Sequence, residues 1–383
     1  MELYVHIPFC RKKCRYCAFV SFPGREADYE KTVDLILREA RLRRGEASEP
    51  FSSVYIGGGT PSLLPPALFS RLLRDLNDIF DLSAVAEFTS EANPGTVTAP
   101  WLDAAAAGGV NRLSLGMQAG QERLLRLLGR IHTVEQVGES VSLARRAGIM
   151  NLNLDLIFGV PTQTLRDWEE TLDLALSLDP CHISAYGLIP EEGTPLFEDL
   201  ERESLLLPDP DLEREMYTAA KRKAAARGLY PYEVSNFAKK GYECAHNLGY
   251  WTQVPYIGLG VSAASMTDVH LDQNGFSYAR SVNPDTLEAY EQSLRNQRAD
   301  ISPERISPAD ARFETVMLGL RLYRGVNEAD FLRMHGVSLS SCYGEKMRAL
   351  EKQGLLIHDR GFWKLTNRGF DIQNSVLVEL LDS

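Results

Sequence analysis

The sequence predicts an α/β fold: a partial (β/α)6, TIM-like barrel followed by a C-terminal helical, winged-helix-like domain. Three observations predict it. Strand-like and helix-like segments alternate from residue 1 to about 235, which implies parallel strands with right-handed crossovers. Each strand ends in a reactive or permissive residue, so one face collects them all, as the C-terminal face of a β/α barrel does. From Ser302 the pattern turns helical and closes on a hairpin.

The elements follow in order. Leu3 to Pro8 reads as the first strand and leads into a cysteine loop. An amphipathic helix runs from about Asp28, with Tyr29, Val33, Ile36, Leu37 and Ala40 on one face. Val54-Tyr55-Ile56 is a short strand ending in Gly57-Gly58-Gly59-Thr60-Pro61, and Ala67 to Phe80 is the next helix. Glu87 to Asn93, Asn111 to Met117, Leu152 to Phe158 and His182 to Ile189 are the remaining strands. Between them lie helices near Trp101 to Ala107, Glu122 to Leu128, Thr133 to Ala147 and Leu165 to Leu178. Asp209-Pro210 starts another, with an N-cap and a proline at the first helical position.

The sequence thus divides into a barrel over 1–235, an irregular segment over 236–300 and a C-terminal domain over 301–383. The middle segment reads as irregular because it is rich in glycine, asparagine and aromatics. In the last, Phe313 to Leu322, Glu328 to Met334 and Ser340 to Gln353 read as helices. Leu355 to His358 and Phe362 to Thr366, joined at Asp359-Arg360-Gly361, read as a hairpin. Helices followed by a hairpin suggest DNA binding. Asp300 to Ser383 nevertheless holds 11 Lys/Arg against 12 Asp/Glu, which disfavours phosphate contact. The expected role is a structural or partner-contacting cap.

Composition narrows the function classes. Of 383 residues, 44% are hydrophobic and 24% charged, ordinary values for a globular protein. A net charge of −11 argues against nucleic acid as a partner. Six cysteines, three of them clustered, suit a reducing compartment better than a disulfide scaffold. No basic-then-apolar signal opens the chain, and no apolar stretch is long enough to span a bilayer. The expectation is a cytoplasmic protein, with peripheral membrane contact and a homodimer left open.

Cys10, Cys14 and Cys17 form a Cys-x3-Cys-x2-Cys run with no fourth cysteine nearby. A cubane [4Fe–4S] cluster has four irons, so three thiolates leave one iron open to a small molecule. That is what reductive cleavage of S-adenosylmethionine (SAM) requires, with the cofactor carrying the hard chemistry. A zinc site with His6 as fourth ligand stays open as an alternative, although zinc ligands usually come as two pairs across a longer loop.

Gly57-Gly58-Gly59-Thr60-Pro61 is no P-loop, because no Gly-Lys-Ser/Thr follows. Beside an iron–sulfur loop its backbone suits the methionine end of SAM, with glycines exposing N–H donors; alone it reads as a tight turn. Glu91, Gln118, Arg130 and Asp155 stand on or just after strands. A zwitterionic nucleoside needs such partners, a carboxylate for its ammonium and an Arg for its carboxylate. His246-Asn247-Leu248-Gly249-Tyr250-Trp251 sets a histidine beside aromatics, a pattern open to axial haem ligation. From the residues alone, a loop histidine packed on the barrel is the stronger reading.

Tyr4 to Cys10, the cysteine run, Ile56 to Pro61, Glu91-Ala92-Asn93-Pro94-Gly95, Arg112 to Gln118 and Asp155 to Gln163 together resemble the oxygen-independent coproporphyrinogen III oxidase-like family of radical SAM proteins. The resemblance covers essentially the whole chain. It implies a cluster on Cys10, Cys14 and Cys17 and SAM contacts from Tyr4, Tyr16, Gly58, Gly59, Thr60, Glu91, Gln118, Arg130 and Asp155. The oxidases carry an extension before the cluster and a further cysteine two positions after the third, where this chain has Phe19. In both respects it is similar to the HemW branch, haem chaperones that deliver haem to respiratory enzymes. His246-Asn247-x-x-Tyr250-Trp251 matches that branch's haem-binding motif. The resemblance therefore implies three cofactors or cargoes, a [4Fe–4S] cluster, SAM and haem, and apo-haemoproteins as partners. Porphyrinogen decarboxylation or haem-opening methylation is the enzymatic alternative. Val261-Ser262-Ala263-Ala264-Ser265 departs from the pattern and reads more like the oxidase loop.

Overall fold

The computed structural model describes residues 1–47, 49–272 and 275–381. Six parallel strands stand side by side in chain order: β1 (Glu2–Ile7), β2 (Ser53–Gly58), β3 (Glu87–Ala92), β4 (Arg112–Gln118), β5 (Asn151–Phe158) and β6 (His182–Gly187). The crossovers carry helices α1 (Tyr29–Arg43), α2 (Pro66–Phe80), α3 (Ala99–Ala107), α4 (Glu122–Leu127), α5 (Val134–Arg146) and α6 (Leu165–Ser177). Thr133 with Gln136 and Thr164 with Asp167 close capping boxes on α5 and α6, satisfying N–H groups that a helix start leaves free. The apolar stripes of α1, α2, α3, α5 and α6 pack on Val5, Ile56, Leu113, Leu154 and Ile183 of the strands in one core, while Leu124 and Leu125 of α4 pack in a second cluster with Ile157 and Leu188. Helices α7 (Pro195–Glu201) and α8 (Pro210–Ala225) complete this half.

The barrel is partial, as expected, because β1 and β6 do not pair with each other. β6 is flanked antiparallel by β7 (Asn236–Ala238), and β1 is flanked parallel by β8 (Tyr256–Leu259). The sheet then runs on through β9 (Ala264–Asp272) and β10 (Gly275–Val282), both antiparallel.

Residues 236–300, expected to be irregular, therefore supply strands, the short helix α9 (Ala245–Trp251) and α10 (Leu287–Arg295). The glycines that suggested a loop are there for close approach. A Cβ on Gly258 would lie 2.0 Å from the Ala264 carbonyl oxygen, and Gly260 has φ +100° against the His6 carbonyl. Buried Glu39 on α1 anchors the segment, accepting from Gly260 N–H at 2.9 Å, Asn283 Nδ2 at 2.9 Å and the Tyr290 hydroxyl at 2.6 Å.

After β11 (Glu304–Ile306), the C-terminal part holds α11 (Pro308–Gly319), α12 (Glu328–His335), α13 (Leu339–Lys352), strands β12 (Leu356–Asp359) and β13 (Phe362–Leu365), and two closing helices. Val326–Asn327 adds a third strand to the hairpin. This part has its own core around Leu320, Phe331, Tyr343, Met347, Trp363 and Val376. Among the described residues, no helix is long and apolar enough to cross a membrane.

Candidate functional site

The cysteine loop leaves the C-terminal end of β1 and is pinned from two sides. Arg15 N–H donates to the Leu128 carbonyl at 3.0 Å, and Leu196 N–H donates to the Arg15 carbonyl at 2.9 Å. Cys10, Cys14 and Cys17 are free and partly buried, and all three face a cavity of 470 Å³ at the strand C-termini. The Thr60 hydroxyl donates to Cys10 Sγ at 3.6 Å, and Arg130 Nη1 donates to Cys14 Sγ at 3.4 Å. Burial pushes the Cys10 and Cys17 thiols up, opposed at Cys10 by the hydrogen bond from Thr60.

This donor set fits a cluster better than the zinc alternative. His6, the fourth ligand that zinc would need, has Nδ1 2.9 Å from the Tyr4 hydroxyl and Nε2 2.9 Å from the Val20 carbonyl. Among the described residues, no three His, Cys, Asp or Glu side chains converge as ligands of a single ion. A cubane needs no such convergence, since each iron takes one thiolate.

Tyr16, Gly58, Gly59, Thr60, Glu91, Gln118, Arg130 and Asp155 line the same cavity as the cysteines. Glu91 accepts from the Tyr55 hydroxyl at 2.9 Å and from Gly58 N–H at 3.1 Å. Burial first, then the charge of Asp155, raises its carboxyl to about 7. Asp155 accepts from Ser114 Oγ at 2.9 Å and Asn153 Nδ2 at 2.8 Å, and burial raises it too. Gln118 sits where the β4–β5 register shifts, with φ +65°. A non-glycine residue held in that region marks a position that its surroundings over-determine. Arg130 also donates to the Gly116 carbonyl at 2.9 Å and to Asn93 Oδ1. Carboxylates on one wall and a guanidinium on another suit a zwitterion that carries an ammonium and a carboxylate.

The glycine loop does not work as its sequence suggested. Its N–H groups are already used: Gly58 donates to Glu91, Gly59 to the Ile7 carbonyl at 2.9 Å and Thr60 to the Phe9 carbonyl at 2.7 Å. The glycines are needed for packing. A Cβ on Gly58 would lie 2.3 Å from the His6 ring, and one on Gly59 would lie 2.5 Å from the Phe9 carbonyl oxygen. With these donors spent, the N–H groups of Gly58, Gly59 and Thr60 are not offered to an anion.

Tyr4 lies apart from these eight. It lines a second cavity, of 600 Å³, together with His6, Phe19, Tyr250, Trp251 and Tyr256. Phe19 borders both cavities, and Tyr55 of the first stacks on Tyr4 at 6.3 Å between ring centroids. Tyr250 and Trp251 thus reach the second cavity from α9, whereas His246 and Asn247 line neither one. His246 is 1% exposed, with Nδ1 2.8 Å from Ser53 Oγ and Nε2 2.9 Å from the Tyr250 hydroxyl. Burial, and then Arg112, lowers it to about 3.

Three residues of the first cavity were not singled out from the sequence. Asn93 bridges the loop to Arg130 by donating to Thr60 Oγ1 at 2.8 Å; its place directly after a strand was the available signal. Ser114 holds Asp155 from within β4, and one polar residue in a buried strand gave little sign of it. His132 is kept neutral by burial and by Arg130, which lower it to about 4; nothing in its spacing distinguished it.

The Radical SAM superfamily model matches residues 4–175, and the HemN C-terminal domain model matches residues 306–372. The chain is 33% identical to the heme chaperone HemW of Bacillus subtilis over 99% of this chain and 98% of that one. It is 36% identical to the heme chaperone HemW of Synechocystis sp. over 85% of this chain and 79% of that one. The structure of coproporphyrinogen III oxidase (HemN) from Escherichia coli superposes with a TM-score of 0.82, covering 99% of this chain and 89% of that one. At 24% identity, that likeness establishes the fold. By its near full-length kinship with these chaperones, the chain belongs to the HemW family of radical SAM proteins.

Proposed function

We propose that this protein is a haem chaperone: it binds haem and passes it, chemically unchanged, to apo-haemoproteins such as respiratory enzymes. The observation that carries this reading is the near full-length kinship with heme chaperones, with the His246-Asn247-x-x-Tyr250-Trp251 motif placing two aromatics on a 600 Å³ cavity. Six free thiols suit the reducing cytoplasm as its place of work.

Cys10, Cys14 and Cys17 would hold a [4Fe–4S] cluster whose open iron supplies a site for SAM and for one-electron chemistry. The chain's own groups have distinct tasks there. Glu91 takes an ammonium, Arg130 a carboxylate, Asp155 ribose hydroxyls, and Tyr16 and Gln118 flank them. Tyr4 closes the site through Tyr55. In the haem motif, Tyr250 and Trp251 provide the surface for the macrocycle.

The test is a haem titration of the anaerobically reconstituted protein, followed by transfer to a purified apo-haemoprotein. Stoichiometric binding and recovery of intact haem are expected. Consumption of SAM in proportion to a modified tetrapyrrole would overturn the carrier reading in favour of an enzyme.

A further inference from the structure

We propose, resting on the haem-carrier reading above, that the iron of a bound haem is taken by the phenol oxygen of Tyr250, and that His246 positions that phenol rather than ligating the iron.

The placement of the two rings carries the argument. His246 has no free nitrogen. Its Nδ1 is 2.8 Å from Ser53 Oγ and its Nε2 is 2.9 Å from the Tyr250 hydroxyl. The ring stacks on Tyr55 at 5.1 Å and meets Tyr250 edge-on at 4.7 Å. Turning it out to a ligand would break both hydrogen bonds and leave buried polar atoms unpaired, a costly state. Tyr250 instead stands in the wall of the 600 Å³ cavity, its ring edge-on to Tyr256 at 4.8 Å. That volume falls within the roughly 300–1,000 Å³ of small-molecule sites.

The chemistry of the wall fits a carboxylated macrocycle. Tyr250, Trp251, Tyr256, Met266 and Tyr278 supply flat or soft apolar surface, and Arg280 supplies a cation. Arg280 lies over the Tyr278 ring at 5.3 Å and pairs with Glu314. Phenol oxygen is an established axial donor to haem iron, and a hydrogen-bonded partner behind a ligand fixes its orientation. Burial keeps the His246 ring neutral, so it does not take the phenol proton. As the Fe(III)–O bond forms, the hydroxide that ferric haem carries in neutral water accepts that proton and leaves as water. Nε2–H, with Nδ1 accepting from Ser53 Oγ, donates to the bound phenolate. No electron is transferred.

A second phenol–imidazole pair borders the cavity, Tyr4 with His6 Nδ1 at 2.9 Å. Tyr4 stacks on Tyr55, whose hydroxyl reaches Glu91; it is the competing phenol on this cavity, and loss of the band in Tyr4→Phe rather than in Tyr250→Phe would assign the iron to it and overturn the proposal.

The experiment titrates ferric haem into the full-length wild type and into Tyr250→Phe, His246→Gln and Tyr4→Phe, read by absorbance and electron paramagnetic resonance. Wild type and Tyr4→Phe should show a phenolate-to-iron charge-transfer band. Tyr250→Phe should lose it and bind at least tenfold more weakly, while still unfolding cooperatively a few degrees lower because His246 Nε2 loses its partner. His246→Gln should keep the band, displaced; if that variant fails to fold, Ser53→Ala, which removes the hydrogen bond behind His246 Nδ1, takes its place. An imidazole-type spectrum in wild type, or an unchanged band in Tyr250→Phe, would overturn the assignment while leaving the carrier reading intact. No haem binding by wild type would overturn both.

Discussion

The guanidinium of Arg130 stands 3.4 Å from the sulfur of Cys14 and 2.9 Å from the carbonyl of Gly116. One side chain thus joins the cysteine loop to the end of β4, and its bond to Asn93 extends that join to the end of β3. Charge-assisted hydrogen bonds of this kind contribute about 1.5–3 kcal/mol each. Arg130→Ala should therefore lower SAM affinity at least tenfold and reduce the iron retained after anaerobic reconstitution. Arg130→Lys should recover part of the iron but little of the affinity, because an ammonium cannot reproduce the planar fork. Equal SAM affinity in wild type and Arg130→Ala, by calorimetry, would refute the role.

The three cysteines project into a cavity rather than into the core. Cys14→Ala should accordingly lose iron, sulfide and SAM cleavage while melting within a few degrees of the wild-type apoprotein. Chelating the iron from wild type should do the same, since the barrel core packs without it. Cooperative unfolding on chelation would show that the cluster is structural, as zinc is in small metal-dependent domains.

Glu91 gives a pH prediction of definite sign. Its carboxyl is held near 7, above the usual 4.5, first by burial and then by Asp155. The folded protein keeps this proton where the unfolded chain has released it, so the contribution of Glu91 to stability falls as pH rises from about 4.5 to about 7. At 1.36 kcal/mol per pKa unit the whole effect is at most about 3 kcal/mol. Glu91→Gln should gain stability over wild type at pH 8 relative to pH 4, measured by denaturant unfolding at both. The same substitution should weaken SAM binding at pH 8 and flatten its pH dependence, because an ammonium selects the ionised carboxylate.

Much of this site was legible in the sequence because strand ends are. Glu91, Gln118 and Asp155 each sit on or at the end of a recognisable strand, and parallel topology carries all such ends to one face. Tyr55 was not legible as a site residue. It lies inside a short apolar strand, and only the pairing of β2 with β1 and β3 reveals that it connects Tyr4 and His246 to Glu91. The direction of His246 was hidden for a similar reason. A motif gives the spacing of His246 and Tyr250 on one turn, but packing of α9 against Ser53 decides which of the two faces a cavity. The segment 236–300 was misread because Gly258 and Gly260 look alike in sequence whether they mark a loop or permit a strand to pass close by.

The glycine loop yields the last prediction, since two kinds of glycine constraint separate cleanly in this fold. Gly148 has φ +88° and open space around its Cβ position, so Gly148→Ala costs only backbone strain, on the order of 1 kcal/mol. A Cβ on Gly59 would lie 2.5 Å from the Phe9 carbonyl oxygen and 2.7 Å from that of Ile7. These are backbone atoms of the chain that leads into Cys10, and they cannot turn aside as a side chain could. Gly59→Ala must therefore push the glycine loop away from the cysteine loop, breaking the bond from Gly59 N–H to Ile7 or the one from Thr60 N–H to Phe9. It should melt several degrees below Gly148→Ala and retain less iron after reconstitution. A Gly59→Ala protein that melts with Gly148→Ala and loads iron fully would mean that the two loops are not held in contact.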